Sequence, residues 1–261
     1  MSGKVALVTG GCSGMGLAVS RHLAKQGWKI SVVDLNESAG VHTAEELGGI
    51  FSKANVAKHE DMAAAFQKTR ETYGRIDFVY ANAGIVDTYN FYEKHDTLPP
   101  PPLPLVCQDV CLLGVEVTSY LAMHYMRQNP TPGGVIVMTS SAAGIYASPA
   151  LPIYTAAKFG VVGLMRAMGP MLAKENIRVN CTLPGVVRTN LCDEETWKGF
   201  PSEQFTTVEN IAAAIQKILD DETIVGKAVE VSQGNIYYRE QHEYCDEVQA
   251  ITMGAASANS Y

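Results

Sequence analysis

Three side chains in the second half of the chain have the types and spacing needed for acid–base chemistry. Tyr154 and Lys158 stand four residues apart in the run YTAAK, and Ser141 lies thirteen residues before Tyr154 in VIVMTSSAAG. Positions i and i+4 of a helix share one face, so the ammonium of Lys158 can lie beneath the phenol of Tyr154 and favour its ionised form. Such a phenol can exchange a proton near neutral pH, and the Ser141 hydroxyl could hold a substrate oxygen against it. The set predicts proton transfer on an alcohol or a carbonyl. Tyr-x-x-x-Lys alone is more often a solvated helix face, so the prediction depends on the motifs around it.

A glycine-rich loop near the N-terminus has the spacing of a phosphate-binding turn. The first apolar run leads into TGGCSGMG (9–16), and a helical pattern opens at Leu17. The glycines at 10, 14 and 16 permit a tight turn, close approach of the backbone to a pyrophosphate, and a helix N-terminus aimed at its charge. The loop lies between a predicted strand and a predicted helix, about 18 residues before an acid, which is the context that a dinucleotide site requires.

That acid, Asp34, bears on the choice of cofactor. A carboxylate at the end of the second strand can accept hydrogen bonds from both hydroxyls of an adenosine ribose and repels a 2′-phosphate. No arginine or lysine occupies Cys12, Ser13 or Leu35, where a basic side chain would help bind that phosphate. The sequence therefore favours NAD over NADP. If no glycine loop preceded it, Asp34 would be interpreted as an ordinary solvated carboxylate at the end of a strand.

The elements that must position these residues alternate between short apolar runs and longer helical patterns. Predicted strands are 5–9, 30–34, 50–56, 77–82, 135–140, 177–182 and 228–232. Predicted helices are 16–26, 38–47, 58–73, 105–128, 154–174 and 207–219. Near-continuous apolar strands indicate burial on both faces, as in a parallel sheet. The chain is therefore predicted to form a single doubly wound α/β Rossmann domain over 1–261, with a seven-stranded, mostly parallel sheet and helices on both faces.

Three segments break this alternation. Residues 85–104 carry an aromatic patch and a proline cluster, and residues 186–206 carry Trp197, Phe200 and Phe205. Both follow the carboxyl ends of strands, where open α/β sheets bind ligands, so they are predicted substrate loops; irregular packing without a ligand is the alternative. The tail from about 233 to 261 ends in GAASANSY, a composition typical of a frayed terminus.

Composition excludes several classes of partner. The 261 residues carry a net charge of −7 and no basic run, which disfavours nucleic acid and anionic membranes. No run approaches about 18 consecutive apolar residues, so no transmembrane helix is expected, and the N-terminus lacks a signal-peptide pattern. The six cysteines form no C-x-x-C and no grouping with histidine, so no metal site is predicted and a reducing, cytoplasmic compartment is expected.

Seven motif elements occur in the order and at the intervals of a known family. They are the glycine loop, Asp34, Asn82-Ala83-Gly84, Ser141, Tyr154, Lys158 and Pro184-Gly185. On these residues the chain resembles the short-chain dehydrogenase/reductase family over about residues 3–232. The stretches VCLLGVEVTSYLAMHYM and VIVMTSSAAGIYASPALPIYTAAKFGVVGLMRA are most similar to the 15-hydroxyprostaglandin dehydrogenase group and its fungal relatives.

The resemblance implies a role for each matching residue. Tyr154 would be the catalytic acid/base, Ser141 would orient the substrate oxygen, and Lys158 would assist the phenol and hold the nicotinamide ribose. Asn55 and Val56 would flank the adenine, although the family more often has aspartate before the valine. The implied cofactor-binding residues are Gly10, Cys12, Ser13, Gly14, Met15, Gly16, Asp34, Leu35, Asn55, Val56, Asn82, Ala83, Gly84, Tyr154, Lys158, Pro184, Gly185, Val187 and Thr189.

One position departs from the family. Asn-Leu-x-Gly is usual in the fourth long helix, and here that motif reads Cys111-Leu112-Leu113-Gly114. In the family this asparagine stabilises a local break in the helix, whose main-chain carbonyl binds a water in the proton relay to the lysine. Cysteine keeps the carbonyl but not the amide. The substitution is therefore either tolerated in a working enzyme or a cause of slowed or redirected turnover.

The residues and the resemblance together predict an NAD-dependent oxidoreductase acting on CH–OH groups. It would interconvert a lipophilic secondary alcohol and a ketone by hydride transfer. One alternative is a ketoreductase step in a biosynthetic, secondary-metabolite pathway, and another is an NAD-binding sensor or scaffold with weak or redirected catalysis. The predicted partners are thus a small lipophilic molecule and a second copy of the chain, with no nucleic acid and no membrane.

Association is expected because members of the family pair through the helices that correspond to about 105–128 and 154–174. In both helices apolar residues occupy more of the surface than the single stripe that would face the sheet. Core packing alone could give the same pattern. The residues concerned are Leu112, Val115, Leu121, Met123, Phe159, Val162, Leu164 and Met168. The last strand is followed by Ser232-Gln233-Gly234-Asn235 and a long tail in place of the Val-Asp-Gly-Gly ending common in tetramers, so a homodimer is favoured and a tetramer is possible.

Overall fold

The computed structural model describes residues 3–258, whose strands form one eight-stranded sheet. The strands are β1 (Val5–Thr9), β2 (Lys29–Asp34), β3 (Ile50–Lys53), β4 (Phe78–Ala81), β5 (Gly134–Thr139), β6 (Ile177–Pro184), β7 (Ala228–Ser232) and β8 (Asn235–Arg239). The helices are α1 (Gly14–Lys25), α2 (Glu37–Leu47), α3 (His59–Tyr73), α4 (Val106–Arg127), α5 (Pro152–Ala173), α6 (Glu194–Lys198), α7 (Val208–Asp220) and α8 (Glu247–Ala258).

The strand order explains where a site can form. The sheet runs β3-β2-β1-β4-β5-β6-β7-β8, and every neighbouring pair from β3 to β7 is parallel. The carboxyl ends of these strands therefore meet at one edge. The order reverses between β1 and β4, which leaves a crevice at that edge. The α/β class and the parallel core of the sheet are as predicted.

The predicted strand count of seven is wrong by one. β8 pairs antiparallel with β7, after a turn in which Gln233 has a φ of 52°. Its sequence, NIYYR, has no apolar alternation, and most of its side chains are exposed or half-buried. The strand forms because it covers the free edge of β7 and not because it buries a hydrophobic face. The sequence also predicts a frayed end over 254–261, whereas the structure has the helix α8 up to Ala258; residues 259–261 lie outside the described residues.

Two apolar layers cover the sheet. One face packs against α3, α4 and α5, whose buried residues include Phe66, Met126 and Met165. The other face packs against α1, α2 and α7, with Leu23 and Ile215 fully buried. These helices were predicted to within two residues at each end because each carries a regular apolar stripe.

By length and composition alone, α4 could span a bilayer, since its most apolar window has a mean hydropathy of 1.3. In the structure, however, 44% of that window is buried inside the protein. The helix packs against α3, α5 and the sheet. Its hydrophobicity therefore belongs to a core helix.

β3 is shorter than expected because the chain turns after Lys53. The N–H of Ala54 still donates to the carbonyl of Asp34, at 3.0 Å. Asn55 then accepts the N–H of Ala57 on its side-chain oxygen, at 3.0 Å. An asparagine that bonds the backbone two residues on forms a turn that ends a strand.

Candidate active site

Tyr154 is held at the first turn of α5 by a carboxylate from another segment. Pro152 begins the helix, and the preceding residue provides no side-chain cap. Asp87 fills that role: its carboxylate accepts the N–H of Ile153 at 3.2 Å and the N–H of Tyr154 at 3.2 Å. The negative charge also suits the positive end of the helix dipole. Asp87 thus fixes the position of Tyr154 from the loop that follows β4.

Lys158 lies one turn further along α5, beneath Tyr154. Its ammonium is 5.4 Å from the centroid of the Tyr154 ring and donates to the carbonyl of Thr139 at 2.8 Å. The lysine is 2% exposed. Within residues 3–258 it forms no ion pair with a carboxylate. Because Thr139 takes only one of three possible hydrogen bonds, the ammonium keeps donor capacity for a ligand.

Ser141 follows β5 and starts a short 3₁₀ turn, Ala142–Gly144. Its hydroxyl oxygen accepts the N–H of Ala143 at 3.1 Å, so its hydrogen stays available to a substrate oxygen. The neighbouring Ser140 donates to the carbonyl of Lys158 at 2.8 Å and ties α5 to the end of β5. The serine, the tyrosine and the lysine are therefore positioned by one junction of strand and helix.

All three side chains line one cavity of about 410 Å³ at the carboxyl edge of the sheet. The cavity also brings together most of the residues implied as cofactor ligands: Gly10, Ser13, Gly14, Met15, Asn82, Ala83, Gly84, Pro184, Gly185, Val187 and Thr189. The predicted residues that do not line it are Cys12, Gly16, Asp34, Leu35, Asn55, Val56 and Cys111. Cys12 and Gly16 belong to the glycine loop, and Asp34 and Leu35 lie at the end of β2 beside it. Asn55 and Val56 follow β3, and Cys111 lies behind the cavity wall.

The glycine loop has the close contacts of a phosphate cradle. Gly10 and Gly14 have φ of +60° and +49°, a conformation that other residues rarely adopt. A Cβ on Gly16 would lie 2.1 Å from the carbonyl oxygen of Gly10, so no side chain fits there. Ser13, which precedes α1, makes no side-chain cap, and the first turn of α1 carries no acid. The helix N-terminus is thus available to an anion, and the loop fits a dinucleotide pyrophosphate.

Asp34 reaches the same loop from the end of β2. Its carboxylate accepts the N–H of Cys12 at 3.4 Å and the N–H of Asn36 at 3.0 Å. Burial, together with the hydrogen bond to Asp34, raises the pKa of the Cys12 thiol to about 12, so this cysteine stays neutral. Leu35 is 60% exposed and apolar. The carboxylate of Asp34 therefore suits a ribose diol. The cation beside it on β3, Lys53, is paired with Glu37 at 2.9 Å.

Asn55 and Val56 lie apart from the cavity. The N–H of Asn55 donates to Asp61 at 2.9 Å, and its side chain caps the turn after β3. Val56 is buried, and a Cβ on Gly114 would lie 2.6 Å from its Cγ2. Both residues thus have structural partners of their own, and their implied place beside the adenine stays a prediction.

Asn82 joins three strand ends beneath the cavity. Its amide donates to the carbonyl of Thr9 at 3.1 Å and accepts the hydroxyl of Thr139 at 3.2 Å. Its backbone N–H and that of Ala83 both donate to the hydroxyl of Thr9, at 2.9 and 3.1 Å. These hydrogen bonds therefore fix the backbone at Ala83 and Gly84, which line the cavity.

Cys111 lies in a π-helical turn of α4, Asp109–Leu113. Its sulfur is 3.1 Å from the carbonyl oxygen of Ile85 and 3.3 Å from the Ile85 N–H, so the thiol can donate to one and accept from the other. π-turns inside α-helices are rare and frequent at functional sites. The local break that the family associates with asparagine is thus present here with a cysteine.

The outer part of the cavity is apolar. Trp197, on α6, is 7% exposed and donates its indole N–H to the carbonyl of Thr189 at 3.0 Å. It packs with Phe200 and Phe205 at ring-centroid distances of 6.1 and 6.0 Å. The remaining apolar lining is Val86, Leu151, Val186 and Leu191. The predicted loop 186–206 therefore contributes an aromatic wall to the cavity.

Sequence reasoning missed Asp87, Thr139 and Cys107. Asp87 accepts a backbone N–H 67 residues away, and the carbonyl of Thr139 accepts the Lys158 ammonium 19 residues away, which no local pattern indicates. Cys107 did carry a signal, because it precedes Cys111 by four residues and so shares its helix face. All three residues surround the Tyr154–Lys158 pair.

The fold and the site define a dinucleotide-binding α/β protein equipped to exchange a proton with an alcohol or carbonyl oxygen. Comparisons with known proteins agree. The family model described as "short chain dehydrogenase" matches residues 4–198. Short-chain dehydrogenase/reductase prx7 of Penicillium rubens is 42% identical, over 92% of this chain and 95% of that protein. The chain belongs to the short-chain dehydrogenase/reductase family, whose members are oxidoreductases acting on CH–OH groups.

Two further relatives bear on cofactor and fold. Human 15-hydroxyprostaglandin dehydrogenase (NAD(+)) is 34% identical, over 74% of this chain and 71% of that protein. The crystal structure of 3-ketoacyl-(acyl-carrier-protein) reductase from Brucella melitensis complexed with NADH superposes with a TM-score of 0.78. The two sequences are 26% identical, and the match covers 88% of this chain and 97% of the Brucella chain.

Proposed function

We propose that this protein uses NAD to interconvert a lipophilic secondary alcohol and the corresponding ketone. The observation that carries the proposal is the burial of Tyr154 over the Lys158 ammonium, at 5.4 Å, in the wall of an apolar cavity that also holds Ser141. A cation beneath a phenol favours its phenolate form, the state needed to accept a proton from an alcohol.

The chain's own residues bind the substrate oxygen and move its proton. Ser141, whose oxygen already accepts the Ala143 N–H, donates its hydrogen to that oxygen. Tyr154 takes the proton from the alcohol, or returns it to the ketone oxygen. Lys158, fixed by the carbonyl of Thr139, stabilises the phenolate by its charge. When bound, the nicotinamide ring supplies the donor or acceptor of the hydride, chemistry that no side chain provides.

The preference for NAD is supported by Asp34 and by the relatives. Asp34 lies at the glycine loop, and Leu35 beside it carries no charge. The four mammalian 15-hydroxyprostaglandin dehydrogenases among the relatives carry NAD(+) in their names. NAD would thus extend from the N-terminus of α1 to Lys158. The glycine loop, Asp34 and the segments after β4 and β6 would hold it.

The lipophilic substrate class is supported by the outer cavity. Beyond the catalytic residues its lining includes Trp197, Phe200 and Leu151, together with the polar Ser148 and Asn190. A mostly apolar wall with a few polar groups suits a substrate that is itself mostly hydrophobic.

The direct test is turnover of a panel of hydrophobic secondary alcohols with NAD or NADP, followed by absorbance of the reduced cofactor. We expect NAD-linked oxidation, and Tyr154→Phe should lower kcat by about 10²–10⁴-fold. Asp34→Ala should lower the preference for NAD over NADP by about tenfold, because a hydrogen bond to a charged group is lost. Glu45→Ala removes an exposed acid further along α2 and should leave the preference unchanged.

Other outcomes would identify the alternatives. Turnover only from ketone and reduced cofactor would favour a ketoreductase, the class of the Brucella enzyme. NAD binding without turnover in either direction, unaffected by Tyr154→Phe, would instead favour an NAD sensor or scaffold and contradict the proposal.

A further inference from the structure

Two thiols lie together behind the wall of the cavity. Cys107 and Cys111 are 1% and 0% exposed, and their sulfurs are 3.5 and 3.1 Å from the same carbonyl oxygen, that of Ile85. Two sulfurs that contact one carbonyl oxygen are neighbours, and Cys111 stands in the π-turn Asp109–Leu113, where the backbone departs from regular α geometry. A disulfide needs Cβ atoms about 3.5–4.5 Å apart, closer than the roughly 5–6 Å of i and i+4 positions in a regular α-helix. Closing the bond would therefore shift the backbone of this turn.

The groups around Cys111 stabilise its thiolate. The hydrogen bond from Cys107, the charge of Lys158 and the N–H of Ile85 lower the pKa of the Cys111 thiol, against the opposing effects of burial and of Asp87. The same hydrogen bond, with burial, raises the pKa of Cys107. When the pair loses a proton, Cys111 is therefore the thiolate, the form that attacks an oxidant.

Cys111 lies directly beneath the cavity surface. Gly84 lines the cavity, and a Cβ added to it would lie 3.6 Å from the sulfur of Cys111 and 3.6 Å from the Lys158 nitrogen. Gly84, a residue without a side chain, therefore lies between the cavity and the sulfur. Because the sulfur is fully buried, a small oxidant in the cavity would reach it when the Gly84 segment moves and no ligand covers it.

We propose that Cys107 and Cys111 form a redox-sensitive dithiol, which a hydroperoxide oxidises to an intrahelical disulfide that lowers activity until a thiol reductant restores it. The Cys111 thiolate attacks the peroxide, so that an S–O bond forms, the O–O bond breaks, and the leaving alkoxide or hydroxide takes up a proton. The sulfur of Cys107 then displaces the sulfenic oxygen, which leaves as water with the thiol proton. Two electrons pass from the sulfurs to the peroxide.

The disulfide would disturb the site through Ile85. Oxidation removes the S–H donors from the Ile85 carbonyl and the sulfur acceptor from its N–H. Ile85 joins Gly84, in the cavity wall, to the segment that leads to Asp87, which holds the N–H of Tyr154. A shift in this segment would therefore reach both the cofactor side of the cavity and the catalytic tyrosine.

A single tryptic peptide reports the state of both thiols. Cleavage after Lys94 and Arg127 yields residues 95–127, which contain Cys107 and Cys111 and none of the other cysteines. After treatment of the whole protein with hydrogen peroxide, we expect this peptide to lose the mass of two hydrogen atoms and to resist alkylation. Activity should fall in parallel, dithiothreitol should reverse both changes, and saturating NAD should slow both.

Two serine variants locate the effect. Cys107→Ser cannot form the bond, so its peptide should not lose two hydrogens. It should instead gain oxygen at Cys111, of which dithiothreitol removes only the sulfenic form. Cys192→Ser removes the half-buried thiol that lines the cavity, and peroxide should still lower its activity relative to the untreated variant. The proposal is wrong if peroxide leaves both thiols of the wild-type peptide alkylatable, or if Cys192→Ser abolishes the loss of activity. The mass measurement does not depend on turnover, so it separates failure of this proposal from failure of the proposed function.

Discussion

Lys158 is a buried cation held for chemistry and not for stability. It is 2% exposed, and in the described chain its ammonium has the carbonyl of Thr139 but no carboxylate. Removing a cation from water costs folding free energy that a single carbonyl does not return. We therefore expect Lys158→Met to lower turnover by about 10²-fold or more while the midpoint of thermal unfolding stays equal or rises.

The matched control is Lys174→Met. Lys174 follows the last residue of the same helix and is exposed, so its replacement should change neither turnover nor the thermal midpoint. If the midpoint of thermal unfolding fell strongly in Lys158→Met but not in Lys174→Met, this expectation would be wrong. The hydrogen bond of Lys158 would then stabilise the fold by more than the desolvation of its ammonium costs.

Cys111 replaces the usual asparagine without losing its backbone contacts. The thiol can donate to the carbonyl of Ile85 and accept its N–H, at 3.1 and 3.3 Å, and an asparagine amide has the same donor and acceptor capacity. We expect Cys111→Asn to change kcat by less than about threefold. Both contacts can persist, and any free-energy cost should be smaller than the net contribution of one hydrogen bond. Cys111→Ala should lower stability by about 1–3 kcal/mol, because the Ile85 N–H is left without its partner.

Steady-state kinetics and urea unfolding of the two variants check this prediction. If Cys111→Asn instead raised kcat by about tenfold, equal to 1.4 kcal/mol of barrier, the native cysteine would be the cause of a slowed proton relay. The alternative raised by the sequence would then be correct.

At the scale of elements, the first turn of α5 depends on Asp87. Its carboxylate accepts two N–H groups that Leu151, at the N-cap, leaves without a side-chain partner. Asp87→Ala should lower the free energy of unfolding by about 0.5–2 kcal/mol, the usual cost of a lost cap. It should also lower kcat more than it raises KM, since the residue positions Tyr154 and does not line the cavity.

Asp87→Asn keeps an acceptor oxygen and should recover most of the stability and kcat. Asp96→Ala, an exposed acid in the same loop, should change neither quantity. If Asp87→Asn were as impaired in kcat as Asp87→Ala while fully stable, the charge of Asp87 and not its hydrogen bonds would be the important property.

The same elements show how far sequence reasoning reaches. The six long helices and the parallel strands were predictable because each buries a periodic apolar face against one sheet. The cavity residues were predictable because glycine spacing and strand ends constrain the backbone locally. β8 and Asp87 were not, because each depends on a partner distant in sequence: β8 on the free edge of β7, and Asp87 on amides 66 and 67 residues away.

At the scale of the whole molecule, the exposed faces of α4 and α5 suit a second copy of the chain. Val115, Leu121 and Val162 are buried in the protein's own core, so core packing accounts for them. The exposed stripe of α5, however, carries no charge and consists of Ala156, Phe159, Gly163, Ala167, Pro170 and Ala173. Beside it on α4, Leu113 and Tyr120 are 41% and 53% exposed.

The opposite end of the sheet is less available for pairing. β8 covers the edge of β7, and Arg239 on β8 pairs with Glu230 at 2.5 Å and donates to the hydroxyl of Tyr146 at 3.2 Å. An interface on this hairpin would have to bury the Arg239–Glu230 pair. We therefore propose a dimer through α4 and α5, as expected from the sequence.

We expect light scattering to give a mass of twice 28.1 kDa for the wild type. Phe159→Glu places a charge in the centre of the uncharged stripe, where dimerisation would bury it without a partner, so this variant should be a monomer. Tyr238→Glu changes an aromatic residue of similar exposure on β8, 41% against 45%, and should stay dimeric. A dimer that survives Phe159→Glu but dissociates in Tyr238→Glu would place the interface on the β7–β8 hairpin, and a wild-type monomer would contradict association altogether.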